Sequence, residues 1–233
     1  MKPKSFFVAL AMLSSMTAWG ADGDAIVFAD ANVKDICVKQ WDTNGDGELS
    51  EAEAAGVTDL GTVFKGNKTI QTFDELQYFT GLTSIAGEAF RDCTNLTSVI
   101  IPASNITEIK YEAFMGCSFS SITLSEGLTR IGDRAFANNP ALTSVFIPST
   151  VTDIFQGAFM NCGALTSITL PDGLKTLTLS SLQNTSITSI TLPSSLEKIE
   201  HNALDYCKQL TAITIPENVT TIEQCAFANC SSL

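Results

Sequence analysis

From residue 83 onward this chain repeats itself every 22 to 24 residues. The recurring unit reads I-x-x-x-A-F-x-x-C-x-x-L-T-S-I-x-I-P-x-x-V-T and starts at Ile85, Ile109, Ile131, Ile154, Leu177, Ile199 and Ile222. Its Ala-Phe pair recurs at Ala89-Phe90, Ala113-Phe114, Ala135-Phe136, Ala158-Phe159 and Ala226-Phe227, softening to Ser181-Leu182 and Ala203-Leu204. Proline closes the T-S-I-x-I block at Pro102, Pro148, Pro171, Pro193 and Pro216, and Ser125 replaces it once. A unit this short cannot bury its own apolar side chains, so neighbouring units must stack on one another. Each large side chain covered by stacking contributes roughly 1.5–3 kcal/mol before chain entropy is subtracted. Stability then accumulates as repeat terms plus neighbour terms.

Inside each unit lies L-x-x-I-x-I, as in Leu96-x-x-Val99-x-Ile101 and Leu165-x-x-Ile168-x-Leu170. Strand alternation turns Val99 and Ile101 inward and Ser98 and Ile100 outward. That spacing and period resemble a leucine-rich repeat. The expected fold is a leucine-rich-repeat solenoid, a parallel strand ladder with repeats of about 23 residues. The Ala-Phe-x-x-Cys segment is too short for a full helix and is expected to form one helical or 3₁₀ turn. Residues 57–82, with Ile70, Phe73, Leu76, Phe79 and Leu82, read as a degenerate capping repeat, and 83–233 as about six and a half repeats. Cys230 to Leu233 fall where another strand should begin, so a longer array is expected.

The outward strand positions form two columns. The first reads Ser98, Ser121, Ser144, Ser167, Ser189 and Ala212. The second reads Ile100, Thr123, Phe146, Thr169, Thr191 and Thr214, and is the candidate partner-binding surface. Threonine suits an exposed strand. Ile100 and Phe146 depart from the hydroxyl pattern, and an exposed aromatic is a candidate hot spot.

Residues 1–20 carry Lys2 and Lys4, an apolar run from Phe6 to Leu13, and small residues up to Gly20. These are the parts of a secretory signal peptide, and the run is too short to span a bilayer. Its removal would take the net charge from −12 to −14.

Residues 42–53 place an oxygen at each ligand position of a twelve-residue calcium loop. Asp42, Asn44 and Asp46 supply side-chain oxygens, Glu48 its carbonyl, Ser50 a hydroxyl or bridging water, and Glu53 a bidentate carboxylate. Gly47 permits the sharp turn, and Leu49 holds the apolar position that usually pairs with a second loop. Val33, Ile36, Cys37 and Trp41 give the entering helix one apolar face, and Ser50 with Glu53 forms a capping box for the exiting one. Residues 21–56 therefore read as a small α-helical, EF-hand-like cap with Ca2+ as its ion. A lone loop binds weakly, on the order of 10⁻⁴–10⁻³ M, which suffices outside cells.

Composition narrows the remaining choices. A pI near 4.4 argues against nucleic acid or anionic membrane as partners. The sole histidine, His201, sits at a variable loop position, and no nucleophile elbow, phosphate loop or His-Glu-x-x-His motif occurs. Enzymatic activity is therefore not expected. Cys93, Cys117, Cys162, Cys207 and Cys230 share one repeat position and read as buried thiols, with Cys93–Cys117 and Cys207–Cys230 the candidate pairs for disulfides.

The repeat, the acidic loop and the signal peptide together resemble the BspA-like leucine-rich-repeat surface proteins of anaerobic bacteria. The resemblance runs from about Ala25 to Leu233 and rests on Asp42 to Glu53 and on the I-P-x-x-V-T-x-I and A-F-x-x-C blocks. It implies a secreted or surface-displayed adhesion protein whose partners are host extracellular-matrix or plasma proteins or other bacterial cells. The alternative is a repeat scaffold within a larger secreted protein, as a dockerin-like assembly module or the appendage of a hydrolase.

Overall fold

The computed structural model describes residues 23–102 and 105–233. The expected signal peptide lies outside them. The chain winds into a succession of stacked coils bearing two ladders of two- or three-residue parallel strands. In chain order the strands are β1 (Thr72–Phe73), β2 (Ser84–Ile85), β3 (Ser98–Val99), β4 (Glu108–Ile109), β5 (Ser121–Thr123), β6 (Arg130–Ile131) and β7 (Ser144–Phe146). They continue as β8 (Asp153–Ile154), β9 (Ser167–Thr169), β10 (Thr176–Leu177), β11 (Ser189–Ile190), β12 (Lys198–Ile199), β13 (Ala212–Ile213) and β14 (Thr221–Ile222). Odd-numbered strands form the front ladder expected from T-S-I-x-I. Even-numbered strands form a second, back ladder from the V-T-x-I block, where the sequence pattern suggested no strand.

Pairing is parallel and keeps equivalent residues side by side, as in Thr123↔Phe146↔Thr169 and Ile85↔Ile109↔Ile131↔Ile154. Stacking at a constant period thus turns each repeat position into a column. The largest column is aromatic. Phe64, Phe90, Phe114, Phe136 and Phe159 stack with centroids 5.1, 5.2, 5.4 and 5.4 Å apart and planes within 17° of parallel. Phe64 belongs to residues 57–82, and β1 pairs with β3, so that segment is a coil of the solenoid.

The Ala-Phe-x-x-Cys segment forms consecutive tight turns instead of a continuous helical turn. Ala89 and Arg91 donate to carbonyls three residues back, at 3.2 and 3.1 Å. The alternate residues Glu88, Phe90 and Asp92 donate forward to Tyr111, Ala113 and Met115 of the next coil, at 2.9, 2.8 and 2.7 Å. This alternation requires two left-handed residues four positions apart in each coil, such as Glu88 and Asp92 (φ 59° and 58°) or Arg134 and Asn138 (52° and 57°). Such a conformation costs a non-glycine residue roughly 1–2 kcal/mol. The inter-coil bonds it creates contribute about 0.5–1.5 kcal/mol each and spare buried amides from lacking a partner.

The ladders are not continuous. On the front, β3 does not pair with β5, nor β9 with β11, and on the back β8 does not pair with β10. On the front face the cause is visible in residue counts. Six positions separate Cys93 from Val99 and Cys162 from Ile168, but only five separate Cys117 from Ile122 and Thr185 from Ile190. The shorter link draws β5 and β11 out of register with the preceding coil. At Leu177 the break is deeper. The aromatic column passes from Phe159 to Leu182, and Thr185 Oγ1 bonds within its own coil to Leu182 O at 3.0 Å. The coils there remain joined through the turns, where Gly157, Phe159 and Asn161 each donate forward at 2.9 Å.

At the N-terminal end, α1 (Ala31–Trp41) and α2 (Glu51–Gly56) stand on the first coil. Asp30 caps α1, and Ser50 with Glu53 forms the full capping box of α2. Val33, Cys37, Leu49 and Ala54 are buried, and Trp41 packs edge-on to Phe79 with centroids 5.4 Å apart. The preceding segment, residues 24–30, clasps both parts. Ala29 N donates to Glu75 Oε1 at 2.8 Å and Gln71 N to Asp30 Oδ2 at 2.6 Å. Burial alone would raise the Asp30 pKa, but the N–H groups of Gln71 and Asn32 outweigh it and hold the carboxyl below its ordinary range.

Candidate functional site

Two places concentrate chemistry: the front face and the loop between α1 and α2. On the front face all six second-column residues, Ile100, Thr123, Phe146, Thr169, Thr191 and Thr214, are exposed. Phe146 is 61% exposed at the end of β7, the middle strand of the three-stranded set β5–β7–β9. Thr123 and Thr169 lie beside it in register. Ile100 is 45% exposed and stands across the break between β3 and β5.

Each of the two front-face breaks opens a groove. Between β3 and β5 it measures about 610 Å³ and is lined by Ser98, Ile100, Ser121, Thr123 and Ser125. Ser125 Oγ is buried there without a hydrogen-bond partner, at the position where other repeats carry proline. Between β9 and β11 a second groove of about 340 Å³ is lined by Thr169, Asp172, Ser189 and Thr191. The three-stranded set carrying Phe146 is thus bounded by a groove on either side. The signal for these grooves was the 22-residue spacing of two repeats. It could be read only by counting from the cysteine position.

The helix–loop–helix keeps the geometry that its glycines require. Gly45 and Gly47 take φ of 75° and 85°. Asp42 accepts from Gly45 N and Gly47 N at 2.7 and 2.9 Å, and Asp46 Oδ1 from Glu48 N at 2.9 Å. Asn44 Oδ1 accepts from Asp46 N at 2.8 Å. Glu53 reaches back across the loop. Its Oε1 accepts from Thr43 N and Oγ1 at 2.8 and 2.9 Å, and its Oε2 from Ser50 N and Oγ at 2.9 Å each. Burial pushes the Glu53 pKa up, but these four hydrogen bonds overcome it and set the value at about 2. Glu48 turns its carboxylate to Lys34 at 2.6 Å, leaving its carbonyl as the ligand candidate.

The donor set Asp42, Asn44, Asp46, Glu48, Ser50 and Glu53 is all oxygen, the chemistry a hard cation takes. In this arrangement the carboxylates of Asp42, Asp46 and Glu53 serve the loop's own N–H groups. Among the described residues no group of three or more His, Cys, Asp or Glu side chains is gathered as a metal-ligand cluster. Binding an ion would require Glu53 to exchange hydrogen bonds for coordination. The segment before α1 packs along the loop: Ile26 N donates to Leu49 O at 2.8 Å, and Ala25 bridges Ser50 in antiparallel fashion.

Against known proteins, the model of the "BspA type Leucine rich repeat region (6 copies)" matches residues 63–184 and, overlapping them, 129–233. The chain belongs to the BspA-type leucine-rich-repeat family. A leucine-rich repeat protein from Bacteroides ovatus superposes with a TM-score of 0.64 at 27% identity, covering 70% of this chain and 42% of that one. The Leucine Rich Repeat protein of T. pallidum gives 0.54 at 25% identity, covering 76% and 72%. The chain therefore spans about two-fifths of the Bacteroides ovatus structure. A comparison with curated proteins found no match.

The BspA-type cysteines occupy a column with a definite task. Cys93, Cys117, Cys162, Cys207 and Cys230 each point Sγ at the carbonyl of residue 64, 90, 136, 182 or 204 in the preceding coil, at 3.0–3.2 Å. All are free thiols. Burial pushes Cys93 up to about 11 and Cys162 up to about 12, so both stay protonated donors at neutral pH. Asn139 replaces cysteine once and serves the same carbonyl, Phe114 O, at 2.9 Å. His201 lies half-buried at a coil edge, its backbone N–H bound to Glu223 Oε2 at 3.0 Å.

Proposed function

We propose that this chain is a non-enzymatic binding protein displayed on or released from a bacterial cell, and that it docks a protein partner on its front face. The observation that carries this reading is Phe146, an aromatic left open amid a ladder of hydroxyls and flanked by grooves. Burying such a ring against a partner yields a hot spot of about 2 kcal/mol or more. Among the described residues no helix is long and apolar enough to cross a membrane. The loop at Asp42, Asn44, Asp46, Glu48, Ser50 and Glu53 takes Ca2+ in this reading. The ion stiffens the cap that closes the first coil.

The test is solid-phase binding of the purified protein to immobilised fibronectin, fibrinogen and collagen in millimolar calcium. Saturable binding that weakens at least about tenfold in Phe146→Ala, with an unchanged melting temperature, supports the reading. Binding that the substitution leaves unchanged removes Phe146 from the contact.

A further inference from the structure

The back of the solenoid carries a further concave site, away from the front face. Tyr111 and Phe155 are aromatics from coils two repeats apart, and Gly132 occupies the coil between them. The three line a shallow cleft of about 280 Å³, rimmed by Glu108, Lys110, Arg130 and Asp133. We infer that this cleft binds a single neutral sugar ring of a glycan.

The cleft exists because the middle coil has no side chain to fill it. Gly132 lies so near the preceding coil that an added Cβ would come within 2.7 Å of the Lys110 carbonyl carbon and 2.8 Å of Tyr111 N. Larger residues are thereby excluded, and the floor stays bare. Tyr111 is 54% exposed yet held in place, its ring lying against Gly87 so closely that any side chain there would collide with it. Phe155 is half-buried and fixed by Arg130, whose guanidinium carbon sits 4.9 Å from its ring centroid. Arg130 also approaches Glu108, at 3.8 Å, so its orientation is set from two sides. Both aromatic side chains are therefore positioned in advance, with Arg130 lying over one face of Phe155, which lowers the entropy cost of binding.

Size, wall chemistry and charge narrow the ligand. The volume sits at the low end for small-molecule pockets, room for one six-membered ring and little more. Aromatic faces carry negative π density and attract the polarised C–H bonds on the flat face of a pyranose. The rim holds two carboxylates and two cations, a net charge of zero. An ion would gain from one pair and lose to the other. A polyhydroxyl ring uses both, donating to Glu108 and Asp133 and accepting from Arg130 and Lys110.

Saturation-transfer difference NMR tests this with the methyl glycosides of glucose, galactose, mannose and N-acetylglucosamine at millimolar concentration. The expected result is saturation of ring C–H protons in at least one glycoside. That signal should fall about five-fold in Tyr111→Ala and in Phe155→Ala, as loss of one aromatic contact implies. It should persist in Tyr111→Phe, which keeps the ring, and in Phe146→Ala, which leaves the back untouched. Melting curves confirm that each variant is folded. Absence of saturation with all four glycosides overturns the inference. So does a signal that survives both alanine variants, or one lost in Phe146→Ala.

Discussion

Removing one ring from the aromatic column should cost more than an ordinary core truncation. Phe136 is fully buried and stacks at 5.4 Å on both Phe114 and Phe159, with planes 10° and 5° from parallel. Phe136→Ala in a core costs about 3–5 kcal/mol, the upper end applying where the cavity cannot collapse. Collapse is resisted here because Phe136 O is held by Asn139 Nδ2 at 2.8 Å and Cys162 Sγ at 3.1 Å. A loss of about 5 kcal/mol is therefore expected. Phe136→Leu keeps most of the volume but gives up two ring contacts worth about 0.5–1.5 kcal/mol each, and should lose roughly 2 kcal/mol. Urea unfolding measures both, followed by circular dichroism and by the fluorescence of Trp41, which packs at the N-terminal end. Neighbour coupling in a solenoid adds a second signature. With coil coupling weakened at Phe136, the two probes should cease to unfold together. A loss below about 1 kcal/mol in Phe136→Ala would refute the argument that the column carries the stacking.

Three further outcomes follow from other parts of the molecule. Chelator, or Asp42→Ala in millimolar calcium, should lower the melting temperature; no change in either would count against calcium in the cap. Glu53 ionises near 2 in the folded protein against an ordinary 4.5, so the folded state favours its charged form. The stability it contributes is whole above about pH 4.5 and is lost as pH falls toward 2. The acid unfolding curve of Glu53→Gln, followed by Trp41 fluorescence, should therefore be shallower across that window, and a curve parallel to wild type would contradict it. Amides of β10 and β11 should exchange hydrogen faster than those of β7. Inserting an alanine between Ser186 and Ile187, which restores the longer link, should slow those of β11, and uniform exchange along the front ladder would refute the break there.

How much was legible in the chain follows from how each feature is encoded. Val99, Val145 and Ile168 could be placed inward, and Phe146 outward, because strand alternation is local and the period lays equivalent residues over one another. The candidate oxygen donors of the loop, Asp42 to Glu53, could be proposed from sequence because they lie within twelve consecutive positions. The back ladder escaped notice because its strands are two residues long and show no alternation of their own. The left-handed turns at Glu88 and Arg134 were hidden too. Neither residue favours that conformation, and it is imposed by hydrogen bonds to the next coil.

The amino-acid order alone determined the period, the inward and outward columns and the oxygen donors of the acidic loop, since each is a matter of spacing along one strand or one loop. Only the tertiary structure decided where stacking fails, what seats against Leu49, and that Tyr111 and Phe155 share a cleft over Gly132. Those outcomes depend on how successive turns sum across coils. Shortening one link by a single residue shifts a strand by roughly 3.3 Å, enough to break a ladder whose bonds tolerate only a few tenths of an ångström.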